Sequence, residues 1–210
     1  MNFFLSLLSH SSTRSCALLL CVFVSSCVGN PAAPTEFFIL NSTAKVADAV
    51  NIKPFKLGIG PVELADYLNQ GGIAYHSGNN QITYAEDRRW AEPLDGNISQ
   101  VLLSNLSTML PAQVVYPFPW KVSQAPDFQI RINITRFGWF PKNTVSITAV
   151  LILENKDDDI LFSKQETLDL VATGSGYEEI VTAQNVLLEK LSLRLVKITQ
   201  STISKSLEGE

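Results

Sequence analysis

Apolar and polar positions repeat at two periods along this chain. Phe128, Ile130, Ile132 and Ile134 alternate with Gln129, Arg131, Asn133 and Thr135, which predicts a half-buried strand from Phe128 to Arg136. Val145, Ile147, Ala149, Leu151 and Leu153 repeat the pattern after Pro141-Lys142-Asn143. Ile160 to Val171 supplies a third strand beyond the charged turn Asp157-Asp158-Asp159. Upstream, Glu36 to Leu40 reads as a short first strand. Phe55 to Leu64 alternates through Phe55, Leu57 and Ile59, with Gly58 and Gly60 on the opposite parity, the mark of a bulge or a close backbone approach. Ile73 to His76 and Gln81 to Tyr84 flank Ser77-Gly78-Asn79-Asn80, a composition that predicts a hairpin.

Two segments have the period of a helix. Leu94, Ile98, Val101, Leu102, Leu106, Met109 and Leu110 form one apolar stripe between Leu94 and Leu110, with Asp95 or Asn97 as the expected cap and Pro111 as the stop. Ser175-Gly176-Tyr177-Glu178 has capping-box spacing and opens a second helix to about Ser201, with Tyr177, Ile180, Val181, Leu187, Leu188, Leu191, Leu195 and Ile198 on its apolar face. The expected fold class is α+β: a mainly antiparallel sheet with two amphipathic helices packed on one face.

The first residues follow a different logic. Residues 1–15 hold one arginine and no acid, residues 16–24 are uniformly apolar, and Val24-Ser25-Ser26-Cys27 places small residues before a cysteine. This is the pattern of a secretory signal. Nine residues of helix span about 14 Å, against about 30 Å for a bilayer core. Val24-Ser25-Ser26-Cys27 also resembles the bacterial lipobox, whose thiol takes a diacylglyceryl group before cleavage between Ser26 and Cys27. Val28, rather than Asp, predicts sorting to the outer membrane. The chain thus divides into a signal peptide at 1–26, a lipidated tether at 27–35 and one domain at 36–205. Two or more acyl chains suffice for stable anchoring.

Composition narrows the chemistry. The 210 residues are 46% hydrophobic and 17% charged with a net charge of −4, which suits a globular domain and gives no basic footprint for nucleic acid. Beyond the signal the chain keeps one cysteine, Cys27, and one histidine, His76, too few for a zinc cage or a disulfide framework. His76 reads as an exposed turn residue. Asp157-Asp158-Asp159 lacks the ligand spacing of a calcium loop and reads as a solvated tip. No catalytic residue, metal ligand or cofactor site emerges.

The aromatic residues carry the remaining signal. Trp90 sits in a charged stretch directly before the first helix, Tyr116-Pro117-Phe118-Pro119-Trp120 alternates rings with proline, and Trp139-Phe140 is expected at a hairpin tip. Two readings stay open for Trp90, Tyr116, Phe118, Trp120, Trp139 and Phe140: they cover the end of the core, or they contact a partner or further copies of the chain, since Trp and Tyr dominate interface hot spots.

Four stretches then match a known family in order. They are Phe37-Phe38-Ile39-Leu40, Leu57 to Leu68, Arg89-Trp90-Ala91-Glu92-Pro93-Leu94 leading into the helix at Asn97 to Leu110, and Tyr116-Pro117. On these the chain resembles the PqiC/YmbA-type lipoproteins, also called ABC-type transport auxiliary lipoproteins; Asn69-Gln70-Gly71-Gly72 departs from the family pattern. The resemblance implies a non-enzymatic outer-membrane lipoprotein facing the periplasm. Its partners would be a periplasmic MCE-domain protein and its inner-membrane transporter, in a system that moves phospholipids between membranes. A homo-oligomeric ring would give such a system the lipid-shielding wall that one domain lacks room for. A structural lipoprotein of another envelope machine, or a periplasmic hydrolase, is the alternative.

Overall fold

In the computed structural model, which describes residues 34–46, 53–78, 80–111 and 113–208, the described residues form eight strands and two α-helices. They run β1 (Glu36–Phe38), β2 (Lys56–Leu64), β3 (Gly72–His76), β4 (Ile82–Trp90), α1 (Leu94–Met109), β5 (Val114–Pro117), β6 (Phe128–Phe140), β7 (Thr144–Asn155), β8 (Ile160–Val171) and α2 (Tyr177–Glu208). Residues 35–210 make one compact unit. The signal peptide, Ser26, Cys27 and the tether as far as Ala33 lie outside the described residues.

One sheet joins all eight strands in the order β1-β4-β3-β6-β2-β5, with β7 beside β6 and β8 beside β7. β6 is the organiser. One of its edges pairs with β7 throughout; the other pairs with β2 over Phe128 to Ile134 and meets β3 at Trp139. The expectation of a mainly antiparallel sheet is corrected. Four of the seven strand pairings are parallel, namely β1 with β4, β2 with β5, β2 with β6 and β3 with β6, and the sheet is mixed. The hairpins β3–β4, β6–β7 and β7–β8 are antiparallel because short turns allow nothing else; the parallel pairs join strands distant in sequence.

The helices cover one face. Leu57, Ile59, Ile130, Ile132, Ile134, Ile147, Ala149, Leu151 and Leu153 are buried on it, beneath the stripes of α1 and α2. α1 packs on β2 and β5, α2 packs on β7 and β8, and the two helices touch. The sequence-read stripes are the buried ones, with Tyr177 and Ile198 half-buried. The caps differ from expectation. Pro93 precedes α1, and the Asn97 side chain serves another purpose, described below. In α2 the Ile180 N–H bonds the Gly176 carbonyl at 3.0 Å, and the carboxylate lying back over Gly176 is that of Glu179 rather than Glu178.

After β1 the chain becomes a strap on the helical layer. Leu40 is 2% exposed; its N–H donates to Asn97 Oδ1 at 2.7 Å and its carbonyl accepts from Asn97 Nδ2 at 3.1 Å. The Ser42 hydroxyl donates to Asn105 Oδ1 at 2.6 Å, and Asn105 Nδ2 donates to Ser192 Oγ on α2 at 3.0 Å. Further on, Asn185 accepts from the Asn41 N–H, and Glu189 from the Thr43 hydroxyl. Two helices and an irregular segment thus share one polar seam, which satisfies backbone groups that no ladder reaches.

Candidate functional surface

Because Leu57 and Ile59 face the helices, Gly58 and Gly60 face the other way. A Cβ on Gly58 would lie 2.6 Å from Trp120 Cζ3 and 2.8 Å from Pro126 Cγ, so the indole rests directly on the bare backbone of β2. Gly60, at φ +113, bears Phe118 in the same manner, its imaginary Cβ 2.8 Å from Phe118 Cβ. The Phe118 and Trp120 rings meet edge to face at 5.4 Å, within the favoured range for aromatic pairs. Both alternatives of the glycine pattern are present: a close approach that forms a floor for two aromatic rings, and a register shift between Ile59 and Val62.

This corner runs from the edge strand β5 into the segment after it. Val114 is 50% exposed, Phe118 48% and Val122 96%, while Tyr116 and Trp120 are half-buried. Pro117 occupies the last position of the edge strand, where no neighbour needs its missing N–H. Val114 and Val122 carry no periodic signal in the sequence, since each sits in a short run between prolines.

A second ring cluster lies on the same uncovered face. His76, expected at an exposed turn, is instead 8% exposed, and that expectation is corrected. Its ring stacks on Phe140 with centroids 4.1 Å apart and meets Tyr67 edge to face at 5.8 Å. Gly138 supplies the floor: a Cβ there would lie 3.3 Å from His76 Cδ2. The Arg136 guanidinium covers the Phe140 ring at 5.1 Å. Burial first, then the Arg136 charge, push the His76 pKa below its ordinary value; burial raises that of the Tyr67 phenol. His76 Nε2 and Ser146 Oγ, which stands opposite Gly138 on β7, are both buried without hydrogen-bond partners. They are thus not bonded to each other as a nucleophile and base would be.

The remaining predicted contact residues are spread out. Trp90 is 8% exposed and belongs to the main core, at the end of β4. Trp139 and Phe140 do not form an exposed tip, and that expectation too is corrected: β6 runs through both to Phe140, and Lys142 and Asn143, at φ 62 and 53, make the turn. Trp139 is half-buried on the helical side between Tyr75, 4.8 Å away, and Tyr177, 5.7 Å away. Only Tyr116, Phe118 and Trp120 come together as a surface. The acidic tip is a tight turn in which Asn155 Oδ1 accepts the N–H groups of Asp157 and Asp159, each at 2.9 Å.

Comparison places this mixed sheet, with helices on one face and a ring-bearing edge, in a class. Residues 38–196 match the model of the ABC-type transport auxiliary lipoprotein component, and the chain belongs to that family. Among relatives, the intermembrane transport lipoprotein PqiC of Escherichia coli (strain K12) is 30% identical over 125 residues, 60% of this chain; the chain spans 64% of that relative's length. The protein of the same name from Shigella flexneri matches equally. The fold is shared with protein XCC0632 from Xanthomonas campestris, at TM-score 0.72 and 13% identity over 83% of this chain and 99% of that one. An uncharacterized protein of known crystal structure has TM-score 0.67 and 22% identity, over 79% of this chain and 98% of that one.

Proposed function

We propose that this protein is a non-enzymatic outer-membrane lipoprotein, anchored through Cys27 and facing the periplasm. In this reading it docks the periplasmic MCE-domain protein of an intermembrane phospholipid transport system and, through it, the inner-membrane transporter. The observation that carries the reading is the apolar corner on β5, where Phe118 and Val122 stand exposed beside Tyr116 and Trp120. Clustered aromatic side chains on a rigid edge have the make-up of an interface hot spot. Family membership supports an auxiliary role in transport, and the name of the E. coli relative supports the process. Several copies around an axis would shield acyl chains in transit, since each exposed CH₂ costs about 0.8 kcal/mol; closed rings arise from head-to-tail contacts.

The test is co-purification from lipid-extracted membranes. The wild-type lipoprotein is expected to bring down the MCE-domain protein, and the F118A/W120A variant to lose it while melting within a few degrees of wild type. Retention of the partner by that variant would refute the docking surface. Intact-mass analysis reads the anchor separately: a mature terminus carrying an unmodified Cys27 removes the lipoprotein reading, whereas C27A is expected to leave unprocessed precursor. Sedimentation of the detergent-solubilised protein checks the ring.

A further inference from the structure

The strand next to the anchor has two unlike sides. Phe38 and Leu40 turn inward, Phe38 onto the Tyr177 ring 6.1 Å away and Leu40 into the core. Phe37 and Ile39 turn outward and are 64% and 45% exposed. β1 is an edge strand of three residues, and nothing described covers its outer side. Two large apolar residues in alternate positions of an exposed edge are costly in water. They begin ten residues after Cys27, and ten residues of chain reach at most about 35 Å.

We propose that this edge rests on the membrane: Phe37 and Ile39 enter the interfacial region of the lipid surface that holds the Cys27 acyl chains. The inference rests on the reading of Cys27 as the anchor. Arg88 lies on the inward side with Phe38, paired with Glu36 at 3.0 Å and over the Tyr177 ring at 5.7 Å. With Glu178 and Glu179 it rims a groove of about 580 Å³. β2 and β5 share with β3, β4 and β1 the edge of β6 that faces away from β7, so the edge farthest from β1 is β8, which begins at the exposed Ile160.

Full-length protein, processed in cells and reconstituted into phosphatidylethanolamine–phosphatidylcholine vesicles, tests this. Once acylated, the mature chain has no free thiol, so single F37C and I160C variants each take one environment-sensitive fluorophore. Both positions are exposed, so neither change disturbs the core. The expected result is loss of emission at position 37 when doxyl-labelled lipid is included, with position 160, on the far edge strand β8, unaffected. An unquenched position 37 on protein whose mass proves acylation overturns the proposal, as does quenching at position 160. An unmodified Cys27 overturns the anchor reading itself and is recognised by mass alone.

Discussion

The seam between the strap and the helices makes a quantitative contrast. Asn97 is 4% exposed and satisfies both backbone groups of Leu40, which is itself buried. Asn97→Ala orphans an N–H and a C=O together, at about 1–3 kcal/mol each. Water entering the small space left behind recovers part of this, so the expected loss is about 3 kcal/mol. Asn105 is more deeply buried, at 0% exposure, yet its partners are hydroxyls. After Asn105→Ala, Ser192 still donates to the Leu188 carbonyl at 2.8 Å, and Ser42, which is exposed, turns to water. That loss should be nearer 1–1.5 kcal/mol, two net hydrogen bonds at the low end of their range. Against a total stability of about 5–15 kcal/mol, the difference is large. Urea unfolding followed by tryptophan emission measures it, and an unchanged m-value confirms that the folded state is the one affected. If Asn105→Ala proves as costly as Asn97→Ala, burial rather than the chemistry of the stranded partner governs this seam, and the reasoning fails.

Three further perturbations have definite outcomes. Trp90→Ala removes a large core side chain and should cost about 3–5 kcal/mol; an unshifted melt would refute the core placement. The folded state holds His76 below its ordinary pKa of 6.5, so the unfolded chain takes up the proton first as pH falls. Its contribution is complete above about pH 6.5 and declines below it; thermal melts from neutrality into mild acid should show this in the wild type and a weaker decline in His76→Phe. Gly58→Ala places a methyl 2.6 Å from Trp120 Cζ3, so it should lower the melting temperature and red-shift the emission, and an unaltered spectrum would contradict the glycine floor.

Much of the fold was legible because alternation and helical stripes report burial directly. β8 begins and ends where its pattern does, at Ile160 and Val171. Strand direction was not legible, since side chains alternate with the same period in parallel and antiparallel ladders. The alternation in β6 points to an end at Arg136 for a specific reason. Its pairing shifts between Ile134 and Arg136, so the buried residue after Ile134 is Phe137, and the parity of the pattern inverts there. β4 was cut short because the charges Glu86-Asp87-Arg88-Arg89 hide its continuation to Trp90. The burial of His76 is not legible because Phe140, which stacks on it, comes from a strand far away in sequence, and the fold-back of the nearby Tyr67 leaves no periodic signal. At the candidate surface, proline-spaced rings flagged Tyr116, Phe118 and Trp120, whereas the inward turn of Trp90 and Trp139 depended on tertiary packing.

The strap also has a mechanical meaning. Under the proposed function the N-terminus is held to one membrane while the β5 corner holds a partner, which makes the domain a link under tension. Load directed along β1 would shear its three parallel pairings, to Arg88, Arg89 and Trp90, together. Beyond them the same load meets Leu40 gripped at both backbone groups, then Asn41, Ser42 and Thr43 tied to α1 and α2. Such a load is thereby shared between the sheet and both helices.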